Sequence, residues 1–326
     1  MRNTTTYLLA LIVLCLGCAI QASAKGKKYA LFVGINDYEN YNGLGGAVAD
    51  AEHMKELLES KYGFKAANDK MLTDHQATRA NILAELKRLG ALARAGDLFV
   101  FQYAGHGTLW LDADSQVLDE TQKTELHVEF PDGGVIDYPL DFYDSAICPV
   151  DSGSFSAGMS WPNLILDDEL YDIFAPMTAR GVNVVFISDS CHSGTVGKAG
   201  KINGKIRIAD PLAGTNFRSF ADVKKPAKQK KAAAKQITGN YIVLSAAQNN
   251  EFAMDSPGAG QLGGLFTSTL VDYLRKGKAT TTYKTVMGQV QKDVANISQT
   301  TFNNPQHPQL DTRFGKVNAA VFSIPK

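Results

Sequence analysis

Short, nearly continuous apolar runs alternate with amphipathic stretches along this chain, and that alternation restricts its fold more than any other feature. Residues 29–34 (YALFVG), 97–103 (DLFVFQY), 182–188 (VNVVFIS), 241–245 (YIVLS) and 319–323 (AAVFS) read as strands covered on both faces. Helical spacing occupies 47–61, 78–94, 167–180, 266–276 and 282–297, with Ile82, Leu83, Leu86, Leu89 and Ala93 on one stripe of the second. Strands alternating with helices imply an α/β fold. Its central sheet is mostly parallel, with helices on both faces and right-handed crossovers. Between these elements, 126–130 (LHVEF), the turn 131–134 (PDGG) and 135–138 (VIDY) read as an inserted β-hairpin.

Residues 1–24 read as a secretory signal. Arg2 supplies the charge, 7–20 the apolar segment and Ala22-Ser23-Ala24 the cleavage pattern, so an exported protein is expected. A lipoprotein anchor at Cys18 is the lesser alternative. Cleavage after Ala24 leaves 302 residues at net charge −1, with Cys148 and Cys191 as the remaining cysteines. Such a chain is not a disulfide framework, and its 44% hydrophobic content and balanced charge exclude a disordered one. No later window is long and apolar enough to span a bilayer. The domain therefore runs over 25–326 and contains a basic linker, 198–240. Within it, 198–235 carries eleven Lys/Arg and two acids, a net +9 that leaves −10 on the rest. Nucleic-acid binding is not expected there, since the two aromatics, Phe217 and Phe220, do not alternate with the lysine run. A phosphate-binding loop is missing after the first run.

In an open α/β sheet, active groups collect beyond the carboxyl ends of the strands. The 97–103 run leads into Ala104-Gly105-His106-Gly107, and the 182–188 run into Asp189-Ser190-Cys191-His192-Ser193-Gly194. A thiol and an imidazole, each beside glycine and each ending a strand, are what nucleophilic acyl transfer needs. Glycine lets backbone N–H groups approach an oxyanion. A Cys/His metal site built on Cys191, His192 and His106 competes, but four ligands at tight spacing are not evident. His192, next to the nucleophile, is read as structural, and Cys148 as a buried small residue.

These segments, with GLGGAVADA, LTDHQAT, LSAAQNNEFA, GGLFT and NPQHPQL in order, resemble the metacaspases and bacterial caspase-like cysteine peptidases from Lys28 to about Phe322. The resemblance implies a caspase-like fold and a dyad of Cys191 (nucleophile) and His106 (general acid/base). It also implies an oxyanion hole from the N–H groups of Gly107 and Cys191, and a substrate pocket at Asp50 and Asp189 for Arg or Lys. Two carboxylates in one pocket suit a guanidinium; the alternative for Asp50 is a helix cap. Ala104 and Ala47 stand where many members carry Ser and some carry Cys. The expected partners are polypeptides with Arg or Lys before the scissile bond, the expected state is a monomer, and the basic linker is expected to be cut by the enzyme itself. No cofactor is expected to be required. Many relatives use calcium on acids matching Asp151, Asp167 and Asp168, but Lys198 replaces a further acid and opposes a cation. A caspase-fold module that binds basic peptides without turnover is the alternative from another class, and a gingipain- or legumain-like peptidase the nearer one.

Overall fold

The computed structural model describes residues 26–111, 125–129, 135–139, 143–153, 163–191, 204–209, 237, 239–248, 251–255, 263–311 and 315–324. The signal-like segment 1–24, the hairpin turn 131–134, His192 and the basic stretch apart from 204–209 lie outside the described residues.

Along the chain the strands are β1 (Lys28–Gly34), β2 (Asp69–Thr73), β3 (Leu98–Ala104), β4 (Gly107–Leu111), β5 (Glu125–Glu129), β6 (Val135–Pro139), β7 (Tyr143–Ile147), β8 (Ile165–Leu166), β9 (Asn183–Asp189), β10 (Tyr241–Ser245) and β11 (Gln309–Asp311). The longer helices are α1 (Ala47–Tyr62), α2 (Arg79–Leu92), α3 (Asp167–Ala179), α4 (Leu265–Lys276) and α5 (Tyr283–Phe302). A six-stranded sheet in the order β11-β10-β9-β3-β1-β2 forms the centre, parallel throughout except for the antiparallel edge strand β11.

Side chains alternate across this sheet as the two-residue period demands. Ala30, Phe32, Leu98 and Val100 face α1, α4 and α5, while Tyr29, Leu31, Val33, Phe99 and Phe101 face α2 and α3. Both faces are covered, which is why the central strands read as unbroken apolar runs. Thr78 and Thr282 cap α2 and α5 by accepting the N–H groups of Asn81 and Thr285. The expected hairpin exists as the antiparallel pair β5–β6, and a small sheet β4-β7-β8 stands beside the main one.

The C-terminal reading is corrected. Residues 319–323 form turns and a single bridge between Thr282 and Ala320, not a strand. Val321 and Phe322 are buried consecutively, and Phe322 packs its ring edge-on against Tyr62, Phe64 and Tyr283. The apolar run is a plug, and β11 takes the sheet edge instead.

Candidate active site

Register puts the two strand ends side by side. β3 pairs with β9 so that Ala104 faces Asp189, and the Gly105 N–H continues the ladder to the Asp189 carbonyl. His106 and Cys191 therefore leave neighbouring central strands at the same level, both buried.

Main-chain groups hold His106. Its N–H donates to the Tyr38 hydroxyl at 2.9 Å, and its carbonyl lies 2.7 Å from the Tyr103 hydroxyl. Nε2 lies 2.7 Å from the Asn42 carbonyl, the Tyr38 ring is tilted over the imidazole at 4.6 Å, and Nδ1 has no hydrogen-bond partner. With Nε2–H donated to a carbonyl, Nδ1 carries the free lone pair. Burial lowers His106 to about 4, against the pull of the Asn42 carbonyl, so the imidazole is neutral. The Cys191 sulfur accepts the Ala253 N–H at 3.0 Å, and burial pushes the thiol up to about 12. Thiol and imidazole are not hydrogen-bonded to each other. The Arg207 main chain is among the groups acting on both of them.

Arg207 reaches both of them. Residues 205–207 run antiparallel to 253–255, with Arg207 N–H donating to the Ala253 carbonyl and Asp255 N–H to the Lys205 carbonyl. On the other side, Ala209 N–H donates to the Gly107 carbonyl. The Arg207 carbonyl accepts two N–H groups, from Gly107 and Cys191, each at 3.1 Å. A Cβ on Gly107 would come within 2.1 Å of the Cys191 carbonyl oxygen, so the two N–H groups converge only because residue 107 has no side chain.

The Arg207 side chain fills an acid pocket with no exposure to solvent. Asp50 Oδ2 lies 2.6 Å from Nη2 and Asp189 Oδ1 3.0 Å from Nη1, while the Asp189 carbonyl accepts from Nη1 at 3.2 Å. A third acid, Asp255, accepts from Nη2 at 3.0 Å and from Nε at 3.3 Å. Helix N-termini fix all three acids. Gly264 N–H, at the start of α4, donates to Asp50, and Thr267 N–H and hydroxyl donate to Asp189. Gly45 and Gly46 N–H, ahead of α1, donate to Asp255. Oriented N–H groups and two positive helix ends offset the cost of burying the carboxylates. Burial pushes the Asp50 carboxyl up, while the Arg207 guanidinium and the Gly264 N–H pull it back down and hold it as a carboxylate. Burial would also lower Arg207, but Asp189, Asp50 and Asp255 outweigh it and keep the guanidinium charged.

All five residues expected at the site, Asp50, His106, Gly107, Asp189 and Cys191, thus surround one basic residue. Asp50 does not cap its own helix; Asn36 does, accepting the N–H groups of Ala47 and Val48. Gly264 had no sequence signal beyond its place in GGLFT, and Asp255, two residues past LSAAQNNEFA, had none. Arg207 was one basic residue among eleven. Ala47 and Ala104 sit together beside Leu44 in a small apolar cluster. Cys148 is a free thiol buried against Ala146, Leu164 and Ala209. Of the acids considered for calcium, Asp151 accepts the Arg79 N–H at 2.7 Å, and Asp167 and Asp168 open α3. Among the described residues no three His, Cys, Asp or Glu side chains form a metal-holding group. No helix among them is long and apolar enough to cross a membrane.

Comparison with known proteins identifies the family. The caspase-domain model of peptidase family C14 matches residues 27–317. Metacaspase-1 of Cryptococcus neoformans is 34% identical over 176 residues, covering 52% of this chain and 32% of that protein. Metacaspase III c of Phaeodactylum tricornutum is 31% identical over 182 residues, covering 54% and 46%. This chain thus spans less than half the length of these curated relatives. Among solved structures, a Geobacter sulfurreducens protein superposes with a TM-score of 0.62 at 24% identity, covering 92% of this chain and 100% of its own. Caspase-1 of Spodoptera frugiperda gives 0.54 at 12%, covering 93% and 92%. At these identities the structures establish the fold alone, whereas the family match covers nearly the whole described domain. The chain belongs to the caspase-domain family of cysteine peptidases.

Proposed function

We propose that this protein is a cysteine endopeptidase cutting after arginine or lysine, and that its first substrate is its own Arg207–Ile208 bond. One observation carries the reading: Arg207 places its side chain in the acid pocket while its carbonyl accepts hydrogen bonds from Gly107 and Cys191. That is the posture of a residue preceding a scissile bond, with the two N–H groups where an oxyanion would form.

The steps follow from the groups present. Cys191 Sγ attacks the Arg207 carbonyl carbon, forming a thioester bond, and the thiol proton passes to Nδ1 of His106. The imidazolium protonates the departing nitrogen of Ile208 as the C–N bond breaks, leaving a free amine. Water then gives a proton back to His106 and hydrolyses the thioester, releasing an Arg207 carboxylate and the thiol. Because both reagents are neutral before attack, His106 acts as base and acid in turn, with no standing ion pair. No step draws on a cofactor or metal. The pocket takes any polypeptide bearing a basic residue before the bond. Export under the 1–24 signal and a monomeric state are part of the same proposal.

The test is a panel of fluorogenic peptides differing only in the residue before the scissile bond, run on wild type and Cys191→Ser. Turnover confined to Arg and Lys peptides and lost in the variant is expected. Tight binding of basic peptides without turnover by wild type would instead make this a binding module.

A further inference from the structure

The guanidinium in the pocket stands in for the basic side chain of a substrate, and its contacts differ in what they ask of that side chain. Asp50 and Asp189 meet the two terminal nitrogens, where a lysine ammonium also brings charge. Asp255 lies along the side of the fork. One oxygen, Oδ1, accepts from Nε at 3.3 Å and from Nη2 at 3.0 Å. Lysine has a methylene at the position of Nε and a single nitrogen at its tip, so the Nε half of this contact is closed to it. Backbone groups hold Asp255 rigidly against that edge. Its Oδ2 accepts the Gly45 N–H at 2.6 Å, Oδ1 the Gly46 N–H at 3.2 Å, and its own N–H pairs with the Lys205 carbonyl. It is wholly buried, so neither water nor a shifted rotamer replaces the contact.

We infer that Asp255 is a specificity-determining residue that makes the pocket select arginine over lysine, through the edge formed by Nε and Nη2. The inference rests on the reading of this site as a peptidase for basic residues, and adds the order of preference and the residue that sets it. Its physical basis is asymmetric loss. With arginine bound, every oxygen of Asp255 has a donor. With lysine bound, the Gly45 and Gly46 N–H groups stay on the carboxylate, but the charged Nε donor to Oδ1 is gone and a methylene faces it instead.

Steady-state kcat/KM on an arginyl and a lysyl reporter, identical otherwise, tests this with wild type, Asp255→Asn and Asp50→Asn. Wild type is expected to favour arginine by about tenfold or more, the worth of one buried charge-assisted hydrogen bond. Asp255→Asn should lower the arginyl value far more than the lysyl value and bring that ratio close to one, whereas Asp50→Asn should lower both alike. An unchanged ratio in Asp255→Asn, or an equal fall on both reporters, would overturn the inference. Wild type cleaving neither reporter would instead overturn the function it rests on. A second measurement leaves Asp255 intact in case that variant misfolds: Arg207→Lys should slow self-cleavage at residue 207 by about tenfold or more, and an equal rate would again count against the inference.

Discussion

The acid pocket and the reagents beside it are built to opposite standards. In the pocket the arginine is ringed by carboxylates, those carboxylates are held by N–H groups from two helix ends, and the whole is sealed from water. Beside it, the imidazole keeps Nδ1 without a partner, and the thiol meets only main-chain groups, accepting the Ala253 N–H and donating weakly to the Ala253 carbonyl. In the proposed mechanism binding is arranged before chemistry starts, and the two members of the proposed dyad are neutral and not hydrogen-bonded to each other, with the Arg207 main chain acting on both residues. The difference teaches that recognition and reaction are independent parts of this site and can be broken independently.

The largest effect should come from the pocket floor. A Cβ at Gly264 would lie 2.6 Å from Cζ and Nη2 of Arg207, while its φ of −67° suits any residue. Gly264→Ala should keep its fold, judged by circular dichroism, yet lose about a hundredfold in kcat/KM for basic substrates, since misplacement by an ångström has that scale. Thiol alkylation of the variant should persist, because the reagents are untouched.

Next comes the occupant. Arg207→Gln in a Cys191→Ala background leaves three buried acids without a cation, at a cost of about 3 kcal/mol and several degrees of Tm by calorimetry. An unchanged Tm would mean that the segment contributes no stability in the pocket.

The pH profile sharpens the comparison from the other side. In the proposed mechanism His106 must be neutral to take the thiol proton, and burial lowers its titration to about 4. Self-cleavage of the intact precursor should therefore hold down to about pH 5 and fail below about pH 4. Once the segment leaves and water reaches the imidazole, the acid limb for added substrate should move up towards the ordinary value of about 6.5. Coincident limbs would contradict the picture of a sealed dyad.

The smallest effect is expected from chelation. Asp151 is engaged with the Arg79 N–H, and the sequence has Lys198 where the resemblance puts a further acid, so EGTA is expected to leave cleavage of an arginyl reporter unchanged.

The legibility of the molecule follows the same division. Central strands β1, β3 and β9 are buried on both faces, so they announce themselves as apolar runs, and the residues that end them, His106 and Cys191, could be read from position. Edge strands could not. Only Leu72 is buried in β2 and no residue of β11 is, so neither carries a run, while β8 has two residues. The run at 319–323 misled because consecutive burial of Val321 and Phe322 serves a plug as well as a strand. In the pocket, Asp50 and Asp189 were legible through family motifs and strand geometry. Asp255 reaches the site by antiparallel pairing with a segment about 50 residues away, at Ile206–Met254, and such long-range pairing has no local signature.

The central claim is that Arg207 lies in the site as a substrate. It is tested most directly by incubating the purified wild-type protein beside Cys191→Ala and determining the N-termini of the products. A new N-terminus at Ile208, formed by wild type and absent from the variant, is the result this account requires. A wild type that hydrolyses arginyl peptides while its own 207–208 bond stays intact would contradict it.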